Sequence, residues 1–490
     1  MTLTYRTRVR TSDLRFARWR LVVLAMAVGC LRDPIAAPKT RSAGSSPAAA
    51  KSSTALAVTS TSPAFGDQGT TVDVHVFGSG FVAGAQATWL LSGVADSHVH
   101  TNSTTYISSS ELVANITIAN GAQLAFWDVQ VSLSNGKNGV GSDLFEVTSA
   151  QILGTTGGYS QPYAMSQDFQ VVGWASGGGG APFVYNDAVG MVSLGKGQAW
   201  SIDPWGSVIG GRDTNLVAIV WVRQSSTSWV AEQLPRLPFS NGGNAMGAAR
   251  TPDGTLLVAG FDDSVSSAKP TGSQFNRPVV WQRSSTGWSA PQRYLLPAGA
   301  VKGSARAING SGQAAGGLDG GVAGVVWDNP TTPTRLDGKA NAINAAGTLV
   351  AGEQTVTSKN SSNSIPAYWW RDPVTGVWTS TGTVLPSIVG ASCPYGSVEA
   401  LNGAGILVGN SCNAAGQLEA TVWRLDLSGP TPVLVAGPLR LSGLGPNSKS
   451  SEMLISSAES ISESTPFTIA GTALDNGIGH AIVRWLLVMP

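Results

Sequence analysis

Charge is scarce in this sequence. Asp, Glu, Lys and Arg make up only 12% of its 490 residues, about half of the roughly 25% found in a typical globular protein. The formal net charge is +1, so the sequence also lacks the basic surplus that nucleic-acid-binding domains need. With 60 Gly and 26 Pro, it is equally unsuited to long amphipathic helices and coiled coils. This composition favours many short strands joined by tight turns.

Histidine, cysteine and catalytic motifs are also sparse. The chain has four His and three Cys. His98 and His100 alternate on a predicted strand and could offer two metal ligands, but no third ligand follows them. Nucleophile-elbow, P-loop and HExxH motifs are absent. The sequence therefore predicts no catalytic residue, no metal and no cofactor.

What is present begins with an export signal in residues 1–30. Six Arg and one Asp precede an apolar run of nine residues, 21–29. A membrane-spanning helix needs about 20 residues, so the run fits the hydrophobic region of a secretory signal. It ends in Ala27-Val28-Gly29-Cys30, which resembles a bacterial lipobox. The resemblance implies a lipid on Cys30 and an outer-membrane or cell-surface location; the alternative is ordinary secretion with later cleavage.

Removal of the signal changes the charge and exposes a tether. Without residues 1–30 the chain has about four more acidic than basic residues, which makes nucleic acid a poor partner. Residues 31–55 are mostly small and polar and predict a flexible linker. This linker would hold the folded part of the protein away from a membrane.

The two remaining cysteines flank a predicted hairpin turn at residues 402–405. Cys393 and Cys412 lie at equal distances from this turn, so their side chains could meet across paired strands. A disulfide would suit an oxidising compartment. The alternative is two buried free thiols.

Residues 56–149 alternate between apolar and polar side chains with a period of two. About seven short strands in this segment fit an immunoglobulin-like sandwich. The resemblance to a known family is carried by residues 62–69, 76–81 and 85–89, and by the closing segment 128–147. These resemble the IPT/TIG family of immunoglobulin-like domains, which implies a spacer or binding module.

Residues 150–490 contain a repeat marked by a glycine and a later aromatic residue. The glycines are Gly173, Gly210, Gly260, Gly316, Gly352, Gly409 and Gly471. The aromatics are Tyr185, Trp221, Trp281, Trp327, Trp370, Trp423 and Trp485. Four strands in each unit of about 50 residues predict a β-propeller with seven blades. Residues 151–154 read as an isolated fourth strand that closes the ring with the last unit, and Gly479-His480-Ala481-Ile482 resembles the motif of HAF-type extracellular repeats.

Loops give the candidate binding residues. Trp205 lies in a predicted turn, where an exposed ring would offer a flat surface to a sugar or peptide. Three insertions, at residues 262–276, 354–365 and 439–456, are predicted on one face of the propeller. Because loops on rigid scaffolds carry function, we expect this face, including Asp262 and Asp263, to bind the partner.

Two functions remain open at this stage. The first is an exported, membrane-anchored binding or scaffold protein at the cell surface that recognises a protein or a glycan. The alternative is an extracellular polysaccharide hydrolase or lyase. That enzyme would need two carboxylates, or a His and a carboxylate, converging in the central channel or on the face with the long loops.

Overall fold

The structure is a computed structural model that describes residues 55–487, apart from 124, 149, 155–158, 177–179, 265–274, 320–322, 359–360, 389, 442–453, 455, 466 and 476–478. Cys30 and the predicted signal lie outside the described residues, as does all but the last residue of the predicted linker. Every regular element in the described part is a β-strand, which confirms the predicted all-β class. Among these residues there is no helix of the length and hydrophobicity needed to span a membrane.

The first nine described strands form two sheets. They are β1 (Ala57–Ser62), β2 (Phe65–Asp67), β3 (Thr71–Ser79), β4 (Gln86–Leu91), β5 (Val94–Ala95), β6 (Val99–Ser108), β7 (Glu111–Ile118), β8 (Phe126–Ser132) and β9 (Asn138–Thr148). One sheet has the order β1-β3-β7-β6 and the other β2-β9-β8-β4-β5. All pairs are antiparallel except β2 with β9.

These two sheets share one apolar core. Side chains alternate in and out along β7, as the period of two predicts. Val74 and Ile116 of the first sheet are buried in the same cluster as Trp89, Trp127 and Phe145 of the second. Trp89 and Phe145 meet edge to face with ring centroids 5.6 Å apart, so the two sheets pack as a sandwich.

The strands from residue 150 onward form seven successive sheets. After β10 (Ala150–Gly154), sheet 1 holds β11 (Ser160–Met165), β12 (Val171–Ala175), β13 (Ala181–Asn186) and β14 (Gly190–Ser193). Sheet 2 holds β15 (Gln198–Ile202), β16 (Val208–Arg212), β17 (Ala218–Arg223) and β18 (Trp229–Gln233). Sheet 3 holds β19 (Ser240–Arg250), β20 (Leu256–Ser264), β21 (Phe275–Ser284), β22 (Gly287–Trp288) and β23 (Gln292–Arg293).

The later sheets follow the same plan. Sheet 4 holds β24 (Gly303–Ile308), β25 (Ala314–Leu318), β26 (Ala323–Asn329) and β27 (Thr332–Leu336). Sheet 5 holds β28 (Gly338–Ile343), β29 (Leu349–Ser358), β30 (Ser361–Trp370) and β31 (Thr383–Val384). Sheet 6 holds β32 (Gly396–Leu401), β33 (Ile406–Cys412), β34 (Leu418–Asp426) and β35 (Val433–Arg440), and sheet 7 holds β36 (Ser456–Ile461), β37 (Phe467–Asp475) and β38 (Gly479–Leu487).

Contacts between these sheets run in a cycle. The second strand of each sheet contacts the first strand of the next, and β37 of sheet 7 contacts β11 of sheet 1. Strand β10 pairs antiparallel with β38 and is the fourth strand of sheet 7. The first strand after the sandwich therefore completes the last sheet, as the sequence predicted.

The repeated glycines allow the first two strands of a sheet to approach closely. A Cβ atom on Gly316 would overlap the backbone oxygen of Ser304, and one on Gly409 would overlap that of Ser397. In sheet 2 the register places Gly211, and not Gly210, at the equivalent position. The repeat is thus explained by backbone packing, which excludes any side chain at this point.

The repeated tryptophans connect consecutive sheets. Trp281 donates its indole N–H to the carbonyl oxygen of Pro235 at 2.7 Å, and Trp423 donates to that of Pro386 at 2.9 Å. Each acceptor lies in the segment that joins the preceding sheet to the sheet of the tryptophan. In sheet 5 the equivalent residue is the buried Trp369, so our assignment of Trp370 is corrected by one position.

Candidate functional site

The first strand of each of these seven sheets contains a β-bulge. At the same point in each strand, pairing to the second strand skips a residue, and β19 has a second irregularity between Ser240 and Gly243. A bulge leaves one residue unpaired in the ladder and redirects its side chain, and bulges are common beside active sites. The skipped residues are Tyr163, Trp200, Met246, Arg306, Asn341, Glu399 and Glu459.

All seven bulge residues line a single cavity of about 320 Å³. Because one comes from each sheet of the cycle, the cavity lies at its centre. Gln161, Lys339 and Ser457 add to its wall near the starts of first strands, and Asn410 adds to it near the end of a second strand. In antiparallel sheets the connections from second to third strand lie on the same side as the starts of the first strands. This is the side on which the sequence predicted a binding face. We call this space the central cavity.

Two aromatic rings form one part of its wall. Tyr163 and Trp200 have ring centroids 4.4 Å apart. The Tyr163 hydroxyl donates to Gln161 Oε1 at 3.3 Å, and Gln161 Nε2 donates to Glu459 Oε1 at 3.4 Å. Burial raises the pKa of Tyr163 well above its usual range, so its phenol stays protonated and can donate a hydrogen bond.

Two carboxyl groups meet in the central cavity. Glu459 is only 8% exposed. Burial, and next the charge of Glu399, raise the pKa of Glu459 to about 8. Burial likewise raises the pKa of Glu399, against the opposing effects of a hydrogen bond from the Ser397 hydroxyl and of the Lys339 and Arg306 charges. At neutral pH the two groups therefore hold at least one proton and offer both a donor and acceptors.

The two cations of the cavity differ in their partners. Lys339 Nζ lies 2.7 Å from Glu353 Oε1 and is paired. Arg306 is half-buried. Within the part of the chain that the structure describes, its guanidinium makes no hydrogen bond and no ion pair, although its charge acts on both Glu399 and Glu459. The cavity thus contains a positive group that is free to bind a ligand.

Unpartnered amide oxygens also lie in the wall. The side-chain oxygens of Asn341 and Asn410 are buried and have no hydrogen-bond partner among the described residues. Asn410 as a whole is 7% exposed, and its amide nitrogen donates to Ser457 Oγ at 3.0 Å. Buried acceptors without partners are costly, so these two oxygens favour a ligand that brings hydrogen-bond donors over one that brings only acceptors.

Trp205 lies elsewhere. It is 59% exposed in the turn between the first and second strands of sheet 2. This turn lies where the first strands end, on the opposite side from the strand starts that line the central cavity. The guanidinium of Arg250 covers its ring at 4.1 Å from the centroid and is held by Asp203 at 2.6 Å. Arg250 also lines a second cavity, of about 340 Å³, with Arg223 and Arg283. The predicted exposure of Trp205 is therefore seen, at a place remote from the bulge residues.

Asp262 and Asp263 are strand residues, which corrects their predicted position in a loop. Both lie in β20, which extends to Ser264, and residues 265–274 of the predicted insertion lie outside the described residues. Asp262 is 1% exposed and accepts a hydrogen bond from the Leu237 backbone nitrogen at 3.2 Å. Burial raises the pKa of both carboxyl groups. Asp262 therefore cannot be presented to a partner at the surface.

The other predicted insertions have different outcomes. Segment 354–365 is largely a continuation of β29 and β30 as a long hairpin, because Ser358 pairs with Ser361. The third insertion, 439–456, falls mostly on residues 442–453, outside the described residues. Its described part includes Leu454, which lines the central cavity, and His480 Nε2 donates to the Leu454 carbonyl at 3.1 Å.

The cysteine and histidine residues singled out in the sequence lie outside the seven bulge positions of the central cavity. A disulfide joins Cys393, which precedes β32, to Cys412, the last residue of β33, and their Cα atoms are 5.8 Å apart. His98 lies 2.6 Å from Asp96, in the sandwich. No group of three or more His, Cys, Asp or Glu side chains suited to a metal occurs among the described residues.

The sequence analysis missed the bulge residues, although a signal for them exists. In six of the seven repeats the position is flanked by small or β-branched residues, as in Ala305-Arg306-Ala307 and Ala458-Glu459-Ser460. The flanking residues stay small or β-branched while the central one changes among Trp, Met, Arg, Asn and Glu. Such variation at one position of a buried strand marks a side chain that faces a cavity and not the core.

Comparisons with known proteins show only distant similarity. No protein-family model matches the sequence, and no curated protein matches it. Among solved structures, U3-55K is 12% identical with a TM-score of 0.41, covering 69% of this chain and 98% of that one. The acylaminoacyl peptidase of Pyrococcus horikoshii is 11% identical with a TM-score of 0.39, covering 67% of this chain and 51% of the peptidase. A putative oxidoreductase (glucose dehydrogenase) of Thermus thermophilus is 9% identical with a TM-score of 0.33, covering 60% of this chain and 98% of that one. This chain thus spans about half of the peptidase, and similarities of this size assign it neither family nor activity.

Proposed function

We propose that residues 150–487 form a seven-bladed β-propeller built from HAF-type repeats, preceded by an immunoglobulin-like domain of the IPT/TIG type. The propeller is supported by seven successive antiparallel sheets whose contacts run in a cycle, and by the pairing of β10 with β38. The second domain is supported by the sandwich of residues 57–148. Closure of the ring removes the exposed inner edges that open sheets leave.

We propose further that the protein is exported and anchored at the cell surface by a lipid on Cys30. The support is the basic and apolar leader that ends in a lipobox-like Ala27-Val28-Gly29-Cys30. The bond between Cys393 and Cys412 suits the oxidising environment outside the cytoplasm. In this arrangement residues 31–55 are the tether between membrane and sandwich.

The function that the geometry supports best is recognition of a glycan in the central cavity. The observation that carries it is the ring of seven bulge residues, which directs two aromatic rings and several planar polar side chains into one space. The aromatic faces of Tyr163 and Trp200 suit the C–H faces of a sugar ring, and the amides and carboxyls suit its hydroxyls. Ligand pockets range from roughly 300 to 1,000 Å³, so a cavity of about 320 Å³ accepts a sugar unit at a chain end better than a folded protein.

A Trp200→Ala substitution tests this function. Loss of the stacking surface is expected to weaken glycan binding by about tenfold or more, because an aromatic contact contributes about 1 kcal/mol or more. The measurement is calorimetry with the mature protein, on glycans first selected from an array. Trp205→Ala, which removes an exposed tryptophan on the opposite edge, is the control and should bind like the wild type. Equal affinities in all three proteins would contradict the proposal.

A second candidate is hydrolysis of a polysaccharide, and the carboxyl pair favours it. Glu459 has a pKa raised to about 8, the property of a general acid that must stay protonated at neutral pH. Glu399 is the companion carboxyl that a glycosidase mechanism requires. Release of reducing ends from a polysaccharide, lost in Glu459→Gln while binding persists, would decide for this candidate over binding alone.

A further inference from the structure

We infer that the central cavity selects a sugar unit that carries a carboxylate, and that Arg306 binds this carboxylate. The inference rests on the glycan binding proposed above and narrows the class of ligand.

The guanidinium of Arg306 has no polar partner within the described part of the chain. It is the skipped residue of the bulge in β24, so the backbone itself directs its side chain into the central cavity. None of the described residues forms a hydrogen bond or an ion pair with it. Guanidinium groups bind carboxylates through two parallel hydrogen bonds, which are among the strongest polar contacts in proteins. A half-buried guanidinium without such a partner is a site prepared for an anion.

The charged groups around Arg306 also favour an anionic ligand. Lys339 is neutralised by Glu353 at 2.7 Å. Burial raises the pKa of both Glu399 and Glu459, so the pair does not carry two full negative charges at neutral pH. The nearby phenol of Tyr163 is also neutral. The cavity therefore does not present two full carboxylate charges to an anionic ligand, and the protonated carboxyl offers that ligand a hydrogen-bond donor.

The amide oxygens and the tryptophan of the central cavity favour a sugar acid over a simple inorganic anion. The side-chain oxygens of Asn341 and Asn410 are buried acceptors without partners among the described residues. An inorganic anion such as phosphate offers mainly acceptors and would leave both oxygens unsatisfied. A uronic acid brings one carboxylate for Arg306 and several hydroxyl donors for the amide oxygens. The apolar face of its ring matches Trp200.

The test compares acidic oligosaccharides with uncharged counterparts of the same size. Trigalacturonate, a mannuronate trimer and a hyaluronan tetrasaccharide, each with its methyl ester, are titrated into the mature protein at pH 6.5 and low salt. At least one acid is expected to bind ten times or more tightly than its ester. Arg306→Gln should remove that difference and leave the affinity for the ester unchanged.

Two further variants guard against a merely structural effect. Arg306→Lys keeps the charge but loses the forked geometry, so it should restore part of the preference for the acid and should fold where Arg306→Gln does not. Arg335→Gln removes an exposed arginine from the outer strand of the same sheet and should behave as the wild type. Thermal unfolding of each variant reports on its folding.

The outcomes separate this inference from the proposed function. Equal binding of acids and esters, still weakened by Trp200→Ala, would leave glycan recognition in place and overturn the role of Arg306. A preference for acids that survives in Arg306→Gln would also overturn that role. Binding of none of these sugars, with array binding of neutral glycans sensitive to Trp200→Ala, would overturn the carboxylate preference alone. Absence of any glycan binding would overturn both.

Discussion

At the scale of the residue, several of the protein's few ionisable side chains are gathered in one cavity. Few charged groups exist, yet Glu399, Glu459, Arg306 and Lys339 all line one cavity. A chain this poor in charge has mostly uncharged residues on its surface, so a cluster of four charged side chains in its interior needs a specific cause. Burial raises the pKa of both Glu399 and Glu459, and perturbed carboxyl groups of this kind occur in binding and catalytic sites more often than in structural ones.

Stability should fall with rising pH because of Glu459. Its pKa in the folded protein is about 8, against an ordinary value of 4.5. The folded state thus holds a proton that the unfolded state releases first, so stability is greatest below about pH 4.5 and is lost as pH rises through about 8. We expect Glu459→Gln, whose amide does not titrate, to lose about 4 kcal/mol less stability than the wild type between pH 5 and pH 9. Urea unfolding at both pH values measures this.

Two other variants make that result specific. Burial also raises the pKa of Glu146 in the sandwich to about 8, so Glu146→Gln should remove a separate part of the pH dependence. Asp73→Asn makes the same chemical change at an exposed position and should unfold in parallel with the wild type at every pH. If the free energy of unfolding of Glu459→Gln and of the wild type changed equally with pH, the Glu459 carboxyl would not be held in its neutral form.

At the scale of the element, glycine is the residue that fixes how the first two strands of each sheet pair. We expect Gly316→Ala to destabilise the protein by about 3 kcal/mol or to prevent folding, because its Cβ would overlap the Ser304 backbone oxygen. Gly429→Ala is the control, since the nearest atom to its Cβ would be the Thr431 oxygen at 3.7 Å. It should change stability by less than about 0.5 kcal/mol. A wild-type melting curve for Gly316→Ala would disprove the packing role.

The same elements show how far sequence reasoning reaches. The repeated glycine and tryptophan predicted the strand order, because each is demanded by local packing that recurs in every unit. The joining of β10 to β38 was predicted separately, from the isolated fourth strand at residues 151–154. The bulges were not predicted, because a bulge is a property of the pairing between two strands and leaves no period of its own in one of them. The one-residue errors at Gly210 and Trp370 have a similar origin. Each has an identical neighbour in the sequence, Gly211 or Trp369, and only the register of strand pairing shows which of the two is equivalent to the other repeats.

The site was predicted less well than the fold for a physical reason. Exposed aromatics and acidic loops were taken as candidates, since they are the features that a single sequence makes visible. Asp262 is instead buried in a strand, and Trp205, although exposed, lies away from the central cavity with Arg250 stacked on its ring. The central cavity draws one residue from each of seven distant segments, and such convergence exists only once the sheets are arranged around it.

At the scale of the whole molecule, the feature that holds the seven sheets together is the joining of the first and last strands of residues 150–487. Strand β10 lies directly after the sandwich, and its residues pair with β38 near the end of the chain, Ala150 with Trp485 and Gln151 with Arg484. Arg484 also donates to Gln151 Oε1 at 3.0 Å and to Asp187 Oδ2 at 2.8 Å. Without β10, the outer edge of sheet 7 would present unpaired backbone groups.

Two fragments that differ only in β10 test this closure. Fragment 150–490 keeps the strand, and fragment 156–490 lacks it, while both lack the leader and the sandwich. We expect the shorter fragment to melt several degrees lower and to self-associate through the exposed edge of β38, because backbone groups freed on that strand would pair with another copy. Light scattering and thermal unfolding measure the two effects. If both fragments remain monomeric and melt at the same temperature, the ring does not depend on its first strand, and the cycle of contacts from β37 to β11 must suffice to close it.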